Sequence, residues 1–204
     1  MRLLLGALLI VPAFCQVAAE VNKNYQSSEG RQRMVETLTG EHRDARQKPK
    51  ELIAALGVKA GMAVADVGTG PGYLLPFLCE AVGPQGKVYG EDIFPDFLAA
   101  AKKRSENFGN VTIVTGDEKS PKLPAASVDL VLILDAYHHF DYPESMLAGI
   151  SQALRPGGRL AIVDYYKRRG AMSNANPDFA LSHIRLDDVD RKSTRLNSSH
   201  ANIS

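Results

Sequence analysis

The stretch VADVGTGPGY, Val64 to Tyr73, joins an apolar run to a loop that carries three glycines at alternate positions. A run followed by glycines in this way predicts a buried strand ending in a tight turn, where backbone amides can approach a ligand without intervening side chains. The pattern is G-x-G-x-G, whereas a dinucleotide fingerprint is G-x-G-x-x-G, and Tyr73 stands where that fingerprint needs its last glycine. The spacing therefore argues against a pyrophosphate packed on a helix start.

Five apolar runs without polar alternation are separated by helical patterns along the chain. Such runs are typical of strands covered on both faces, so they predict an α/β fold: a doubly wound, mostly parallel sheet with helices on both faces. In these sheets, ligands bind beyond the carboxyl ends of the strands, where the strand order reverses. The predicted strands cover 62–67, 86–93, 110–117, 127–136 and 159–166, and the predicted helices 49–57, 72–83, 95–108 and 142–158.

Length and charge limit the classes of protein that fit. A chain of 204 residues with 45% hydrophobic residues can bury one good core, which predicts a single folded domain. The formal net charge is +1, from 24 basic and 23 acidic residues spread along the chain. Because this balance creates no strong field, nucleic acid is not an expected partner.

The first 19 residues have the pattern of a secretory signal peptide. One arginine precedes an apolar run over 3–14, and small residues follow at 17–19. The run is shorter than the ~20 residues that span a bilayer, so we expect cleavage, no stable membrane span afterwards and export to the periplasm or medium. The alternatives are an uncleaved anchor and a cytoplasmic protein. Residues 20–48 are polar and predict a loosely attached arm with one short helix.

Three carboxylates at the carboxyl ends of predicted strands suit three parts of one ligand. Asp66, two residues before Gly68, can pair with a cationic amino group. Asp92, preferred over Glu91, lies at the distance from Gly68 at which a carboxylate accepts both ribose hydroxyls, and Asp117 can accept a bond from an adenine amine. S-adenosylmethionine has all three parts and is the predicted cofactor. The alternatives are a helix cap for Asp92 and a turn start for Asp117.

Five segments between Pro49 and Tyr166 resemble, in order and spacing, the motifs of class I S-adenosylmethionine-dependent methyltransferases: VADVGTGPGYL, VYGEDIFPDFL, VTGD, VDLVLILDAYHHF and LRPGGRLAIVDY. The resemblance is closest to small bacterial methyltransferase-domain proteins with a signal peptide and a QKP lead-in, here residues 47–49. Ubiquinone and menaquinone C-methyltransferases and arsenite methyltransferases are more distant.

This resemblance implies a Rossmann-like methyltransferase fold and methyl transfer to an unidentified, small-molecule acceptor. The alternative is a noncatalytic module that binds S-adenosylmethionine or a nucleoside. The implied cofactor contacts are Asp66, Gly68, Gly70 and Gly72 for the methionine moiety, Asp92 for the ribose, Ile93 beside it, Asp117 for the adenine and Asp135 on the reaction side.

Two adjacent histidines follow the fourth predicted strand, in the segment DAYHHFD over 135–141. A histidine pKa lies near neutral pH, so His138 or His139 is a candidate general base. The alternative is that one packs under the loop and the other binds backbone. No third ligand is spaced for zinc, so no metal site is predicted.

The C-terminal end departs from the resemblance. The methyltransferase domain is expected to cover 49–190, with a further helix beginning in HIRLDDVD at 183–190. The tail RKSTRLNSSHANIS, 191–204, has neither helix nor strand periodicity and resembles peptide read from sequencing-adaptor DNA. We therefore expect a sheet whose last strands are missing; a short disordered native tail is the alternative. The sequence predicts no oligomeric state.

Overall fold

The computed structural model describes residues 18–19, 21–40, 42–170 and 178. Within these residues the chain forms a five-stranded sheet in which every neighbouring pair is parallel. The spatial order is β3-β2-β1-β4-β5, and the strands are β1 (Ala63–Val67), β2 (Lys87–Asp92), β3 (Val111–Thr115), β4 (Val128–Leu134) and β5 (Leu154–Val163).

Helices cover both faces of this sheet, which confirms the predicted doubly wound α/β fold. The helices are α1 (Ser28–Thr39), α2 (His42–Gln47), α3 (Pro49–Ala55), α4 (Leu75–Val82), α5 (Pro95–Arg104) and α6 (Pro143–Ala153). One hydrophobic cluster joins α3, α4 and α5 to one face, and a second joins α6 to the other.

The central strands supply side chains to both clusters, because successive residues of a strand point to opposite faces. In β4, Leu130 and Leu132 belong to the first cluster, whereas Val131 and Ile133 belong to the second. This is why the strand reads as a continuous apolar run. The same arrangement places the carboxyl ends of β1 and β4, where the strand order reverses, at one edge of the sheet.

Several element boundaries differ from the sequence prediction: α4 begins at Leu75 and not at 72, α6 ends at Ala153 and not at 158, and β5 ends at Val163 and not at 166. Helix α5 ends at Arg104, and a turn follows in which the Phe108 amide donates to the Ser105 carbonyl. Strand β5 begins at Leu154, before the predicted stop at 157–158, and its register against β4 shifts so that the segment 155–158 bulges from the ladder. Regular pairing resumes at Arg159, where the sequence predicted the strand.

The polar N-terminal segment contains more structure than the single short helix that we expected. A 3₁₀ turn (Val21–Tyr25) precedes α1 and α2, and we call the segment 21–47 the arm. The Ser27 hydroxyl caps α1 by accepting a 3.0 Å hydrogen bond from the Gly30 amide. Local apolar periodicity misses the arm because its contacts are made with distant parts of the chain.

Several predictions concern residues that the structure does not describe. The signal peptide falls almost entirely in 1–17, and the tail and missing strands fall after residue 170, where only Asp178 is described. Those predictions stay predictions. In the described part of the chain, no helix combines the length and the apolar character needed to cross a bilayer.

Candidate functional site

A cavity opens at the carboxyl edge of the sheet, beside the glycine loop that follows β1. Its floor comes from the ends of β1, β2 and β4, and the arm forms one wall. The lining residues are Gly68–Pro71 after β1, Glu91–Phe94 at β2, Leu134–Ala136 and His139–Asp141 after β4, Asn22, Tyr25, Leu38 and Arg43 in the arm, and Phe97, Asp117, Glu118 and Met146.

The three predicted glycines are all in the left-handed region, with φ values of 73° for Gly68, 56° for Gly70 and 78° for Gly72. Gly68 and Gly70 line the cavity. A Cβ on Gly68 would lie 2.6 Å from the Cβ of Ala136, so the loop after β1 approaches the loop after β4 closely. Gly72 is not part of the wall; a Cβ there would lie 2.8 Å from the Cα of Ala101 in α5. Its lack of a side chain allows the loop to pack on that helix.

Asp92 connects the end of β2 to the glycine loop. Its carboxylate accepts hydrogen bonds from the Gly70 amide at 2.9 Å and from the Phe94 amide at 3.1 Å. Burial raises its pKa to about 6, although the surrounding backbone amides act in the opposite direction. Because a carboxylate offers about four acceptor sites, Asp92 retains capacity for ribose hydroxyls. The predicted neighbour Ile93 also lines the cavity.

Glu91, which the sequence reasoning ranked below Asp92, is also on the wall and is only 1% exposed. One carboxyl oxygen lies 3.4 Å from the Gly68 amide, and the other has no hydrogen-bond partner in the described part of the chain. Burial, and then the nearby charge of Asp92, raise the pKa of Glu91 well above its usual range. This second oxygen packs against Gly116, where an added Cβ would lie 1.8 Å from it.

Asp66 lies beneath the glycine loop and not on the cavity wall. Its carboxylate accepts a 2.7 Å hydrogen bond from the Thr69 hydroxyl, and burial raises its pKa to about 6. Thr69 itself lines the cavity. The sequence predicts contact of Asp66 with the amino group of the ligand, but Asp66 does not line the cavity; its side chain instead supports the glycine loop through Thr69.

Asp117 and Asp135 both line the cavity, in different environments. Asp117 accepts a hydrogen bond from the Lys119 amide at 2.9 Å, which, with Lys122, lowers its pKa. It therefore also starts the turn named as its alternative role.

Asp135 adopts a left-handed backbone with φ of 52° and accepts a hydrogen bond from the side-chain Nε2 of Gln47 in α2. Burial, with Asp164 nearby, raises the pKa of Asp135 to about 6.

The two candidate histidines have different surroundings. His138 is buried, and its Nδ1 lies 2.9 Å from both carboxylate oxygens of Asp164, which follows β5. It does not line the cavity, whereas His139 does. His139 Nδ1 lies 2.7 Å from the side-chain oxygen of Asn22 in the arm. The structure thus distinguishes the two histidines, which the sequence alone leaves as equal candidates for the general base.

Arg43 is a wall residue that the sequence reasoning missed. Its guanidinium lies 4.3 Å from the ring centroid of Tyr73, and Nη1 donates to the Leu38 carbonyl at 2.8 Å. Its Nε is buried without a hydrogen-bond partner among the residues described. A buried guanidinium N–H beside a cavity is suited to binding an anionic group of a ligand.

Tyr25 is a second wall residue that the sequence reasoning missed. Its ring packs against Phe94 and Phe97, with centroids 6.3 and 6.0 Å away, and against His139 at 4.7 Å. These contacts attach the arm over the cavity. They join residues that are far apart in the chain, so local pattern carries no signal for them.

Within the described ranges, no three His, Cys, Asp or Glu side chains are grouped as a metal site would require.

Comparisons with known proteins show that this chain is similar to methyltransferases. A family model described as "Methyltransferase domain" matches residues 65–162, which include the glycine loop, Asp92 and His139. UbiE of Francisella tularensis subsp. novicida, a ubiquinone/menaquinone biosynthesis C-methyltransferase, is 32% identical over 121 residues, 58% of this chain and 48% of that protein. Aklanonic acid methyltransferase DauC of Streptomyces sp. strain C5 is 34% identical over 123 residues, 58% of this chain and 55% of that protein. The chain thus spans about half the length of these curated relatives.

A solved structure is similar over more of the chain. The SAM-dependent methyltransferase from Aquifex aeolicus is 25% identical, with a TM-score of 0.71, and the match covers 79% of this chain and 85% of that one. The five-stranded parallel sheet with helices on both faces is therefore a Rossmann-like methyltransferase fold, as predicted.

Proposed function

We propose that this protein is an S-adenosylmethionine-dependent methyltransferase acting on a small-molecule acceptor. S-adenosylmethionine is the cofactor implied by the methyltransferase-domain match and the similar structures. The observation that carries the proposal is the contact between the glycine loop and Asp92, whose carboxylate accepts a hydrogen bond from the Gly70 amide. This contact lies at the carboxyl ends of the strands, where the strand order reverses. Ligands of doubly wound sheets bind at this position.

The wall residues fit this cofactor part by part. Asp92, with Ile93 beside it, supplies acceptors for the ribose hydroxyls, and Asp117 lines the part of the wall that we assign to the adenine. Arg43, whose Nε has no hydrogen-bond partner among the residues that the structure describes, suits the carboxylate of the amino-acid end. The carboxylates of the wall, Asp135 among them, favour a ligand that carries positive charge. When bound, this cofactor supplies a methyl group made electrophilic by the adjacent sulfonium.

The acceptor end is formed by the arm and by the loop after β4. Asn22 and Tyr25 lie over His139, so the arm closes one side of the cavity, which supports a small molecule as acceptor. Because the chemistry needs an aligned nucleophile and, for a protic acceptor, removal of a proton, we assign His139 as the general base. His138, buried against Asp164, is assigned a structural role.

Calorimetric titration with S-adenosylhomocysteine tests the cofactor assignment. We expect wild-type binding, and at least about tenfold weaker binding by Asp92→Asn, because a charge-assisted hydrogen bond contributes about 1.5–3 kcal/mol. Glu106→Gln is the matched control, since this acid is exposed and lies outside the cavity. Equal affinities of wild type and Asp92→Asn would contradict the assignment of Asp92.

Turnover separates the enzyme from the noncatalytic alternative. Formation of S-adenosylhomocysteine from S-adenosylmethionine in the presence of a panel of phenols, amines, thiols and quinols supports the enzyme. Tight cofactor binding with no product from any acceptor class supports a binding module. Absence of binding of either nucleoside by folded protein would refute both.

A further inference from the structure

The side chain of Asn22 makes a directional set of hydrogen bonds to the segment after β4. Its Nδ2 donates to the His139 carbonyl at 2.9 Å and lies 3.5 Å from a carboxylate oxygen of Asp141. Its oxygen lies 2.7 Å from Nδ1 of the His139 ring. Reversing the amide would place its oxygen against a carbonyl and a carboxylate, both acceptors, so the network itself determines the amide orientation.

This orientation determines the tautomer of His139. An amide oxygen only accepts hydrogen bonds, so Nδ1 of His139 must carry the proton. In a neutral imidazole the other nitrogen, Nε2, then holds the lone pair. The neighbouring His138 does not take this role, because it does not line the cavity, and its own Nδ1 is held by Asp164.

Asn22 is held in place by the 3₁₀ helix Val21–Tyr25 to which it belongs. In the chain before the predicted cleavage, its backbone amide also donates to the Ala18 carbonyl at 2.9 Å, and the Ala18 amide donates to Asp141 at 3.1 Å. Tyr25, on the same 3₁₀ turn, packs edge-on against the His139 ring. The arm therefore reaches the reaction end of the cavity with a rigid polar contact.

We propose that Asn22 is a positioning residue that fixes His139 in the Nδ1–H tautomer, so that Nε2 accepts the proton released by the methyl acceptor. The catalytic part of this inference rests on the proposed function. In the transfer, the acceptor atom forms a bond to the methyl carbon and the carbon–sulfur bond breaks with its electron pair kept by sulfur. The proton lost by the acceptor atom passes to Nε2.

Nitrogen-15 NMR of the histidine rings tests the inference without a methyl acceptor. In the full-length protein, with His139→Gln used to assign the signals, we expect a protonated Nδ1 and an unprotonated Nε2 for neutral His139. Asn22→Leu has a similar volume and no acceptor, so the Nε2–H form should rise to a major species. The tautomer of His138, whose Nδ1 is held by Asp164, should stay unchanged in this variant and provides the internal control.

A second variant keeps the test decisive if Asn22→Leu does not fold. Asn22→Ala removes the same hydrogen-bond acceptor without introducing a bulky apolar side chain, so the Nε2–H form of His139 should again rise to a major species. A wild-type Nε2–H form, or unchanged His139 spectra in both variants, would overturn the proposal. Calorimetry with S-adenosylhomocysteine on the same samples tests the proposed function independently. If the wild-type protein does not bind S-adenosylhomocysteine, the proposed function is refuted, whereas the tautomer result is unaffected.

Discussion

Arg43 shows how one side chain can change what a cavity binds. The wall around it is rich in carboxylates, and its charge lowers the pKa of Asp66 and Asp135 against the effect of burial. Its guanidinium is already positioned by the Tyr73 ring and the Leu38 carbonyl, so binding an anion would cost little further ordering. A zwitterionic amino-acid end suits this mixture of charges.

We predict that Arg43→Met weakens binding of S-adenosylhomocysteine by about ten- to a hundredfold, the loss expected for one strong charge-assisted contact. The methionine keeps an apolar stem over Tyr73 while removing the charge. The matched ligand is the decarboxylated analogue of S-adenosylhomocysteine, whose affinity should change little. Calorimetry with both ligands measures the difference, and an equal loss for both would show that Arg43 acts on the fold and not on the carboxylate.

At the scale of elements, the arm is joined to the sheet by side chains of several kinds. Tyr73 donates to Asp44 of α2 at 2.7 Å, Gln47 of α2 donates to Asp135, and Arg31 of α1 pairs with Asp96 of α5 at 2.6 Å. Each of these partners lies in or beside a loop at the carboxyl edge. A ligand in the cavity would thus touch the arm and the sheet together.

We predict that S-adenosylhomocysteine slows amide hydrogen exchange in α1 and α2 as well as in the glycine loop. The reason is that Leu38 and Arg43 form part of the cavity wall, so a bound ligand stabilises the docked arm. Mass spectrometry of exchange with and without ligand measures this effect, and β3, which supplies no wall residue, is the internal control. Protection limited to the glycine loop would contradict the proposed role of the arm.

At the scale of the whole molecule, the edge of the sheet accumulates buried carboxyl groups. Burial raises the pKa values of Asp66, Asp92 and Asp135 from 3.8 to about 6. Between about pH 4 and pH 6 the folded state therefore holds protons that the unfolded state releases. The resulting contribution to stability is complete below about pH 4 and is lost as the pH rises through 6. Asp117 and Asp129, whose pKa values are lowered, act in the opposite direction below pH 4.

We predict that the ligand-free protein melts at a higher temperature at pH 5 than at pH 7.5. The whole shift of each of the three carboxyl groups corresponds to about 3 kcal/mol, since one pKa unit corresponds to about 1.36 kcal/mol, and about half of this contribution is lost between pH 5 and pH 7.5. Calorimetric melting across this range measures the trend. Asp66→Asn, which keeps an acceptor for Thr69, should reduce the difference between the two pH values, and a melting temperature that rises from pH 5 to 7.5 would contradict the prediction.

The sequence by itself determined the sheet, its helices and the glycine loop. Apolar runs of strand length, prolines at helix starts and glycines at left-handed positions act over a few residues, so their effect is visible locally. The loops after β1, β2 and β4 then had to meet at one edge, because parallel strands bring their carboxyl ends together. This is why the sequence alone predicts that Gly68, Gly70 and Asp92 lie together.

Only the tertiary structure decided which side chains face the cavity. It placed Asp66 beneath the loop, separated His139 from His138 and brought Asn22 and Arg43 of the arm to the wall. The physical reason is that these outcomes depend on contacts across long stretches of chain: Asn22 and His139 are 117 positions apart. No local periodicity records such a contact, since it forms when the packed sheet gives the polar arm a surface on which to fold.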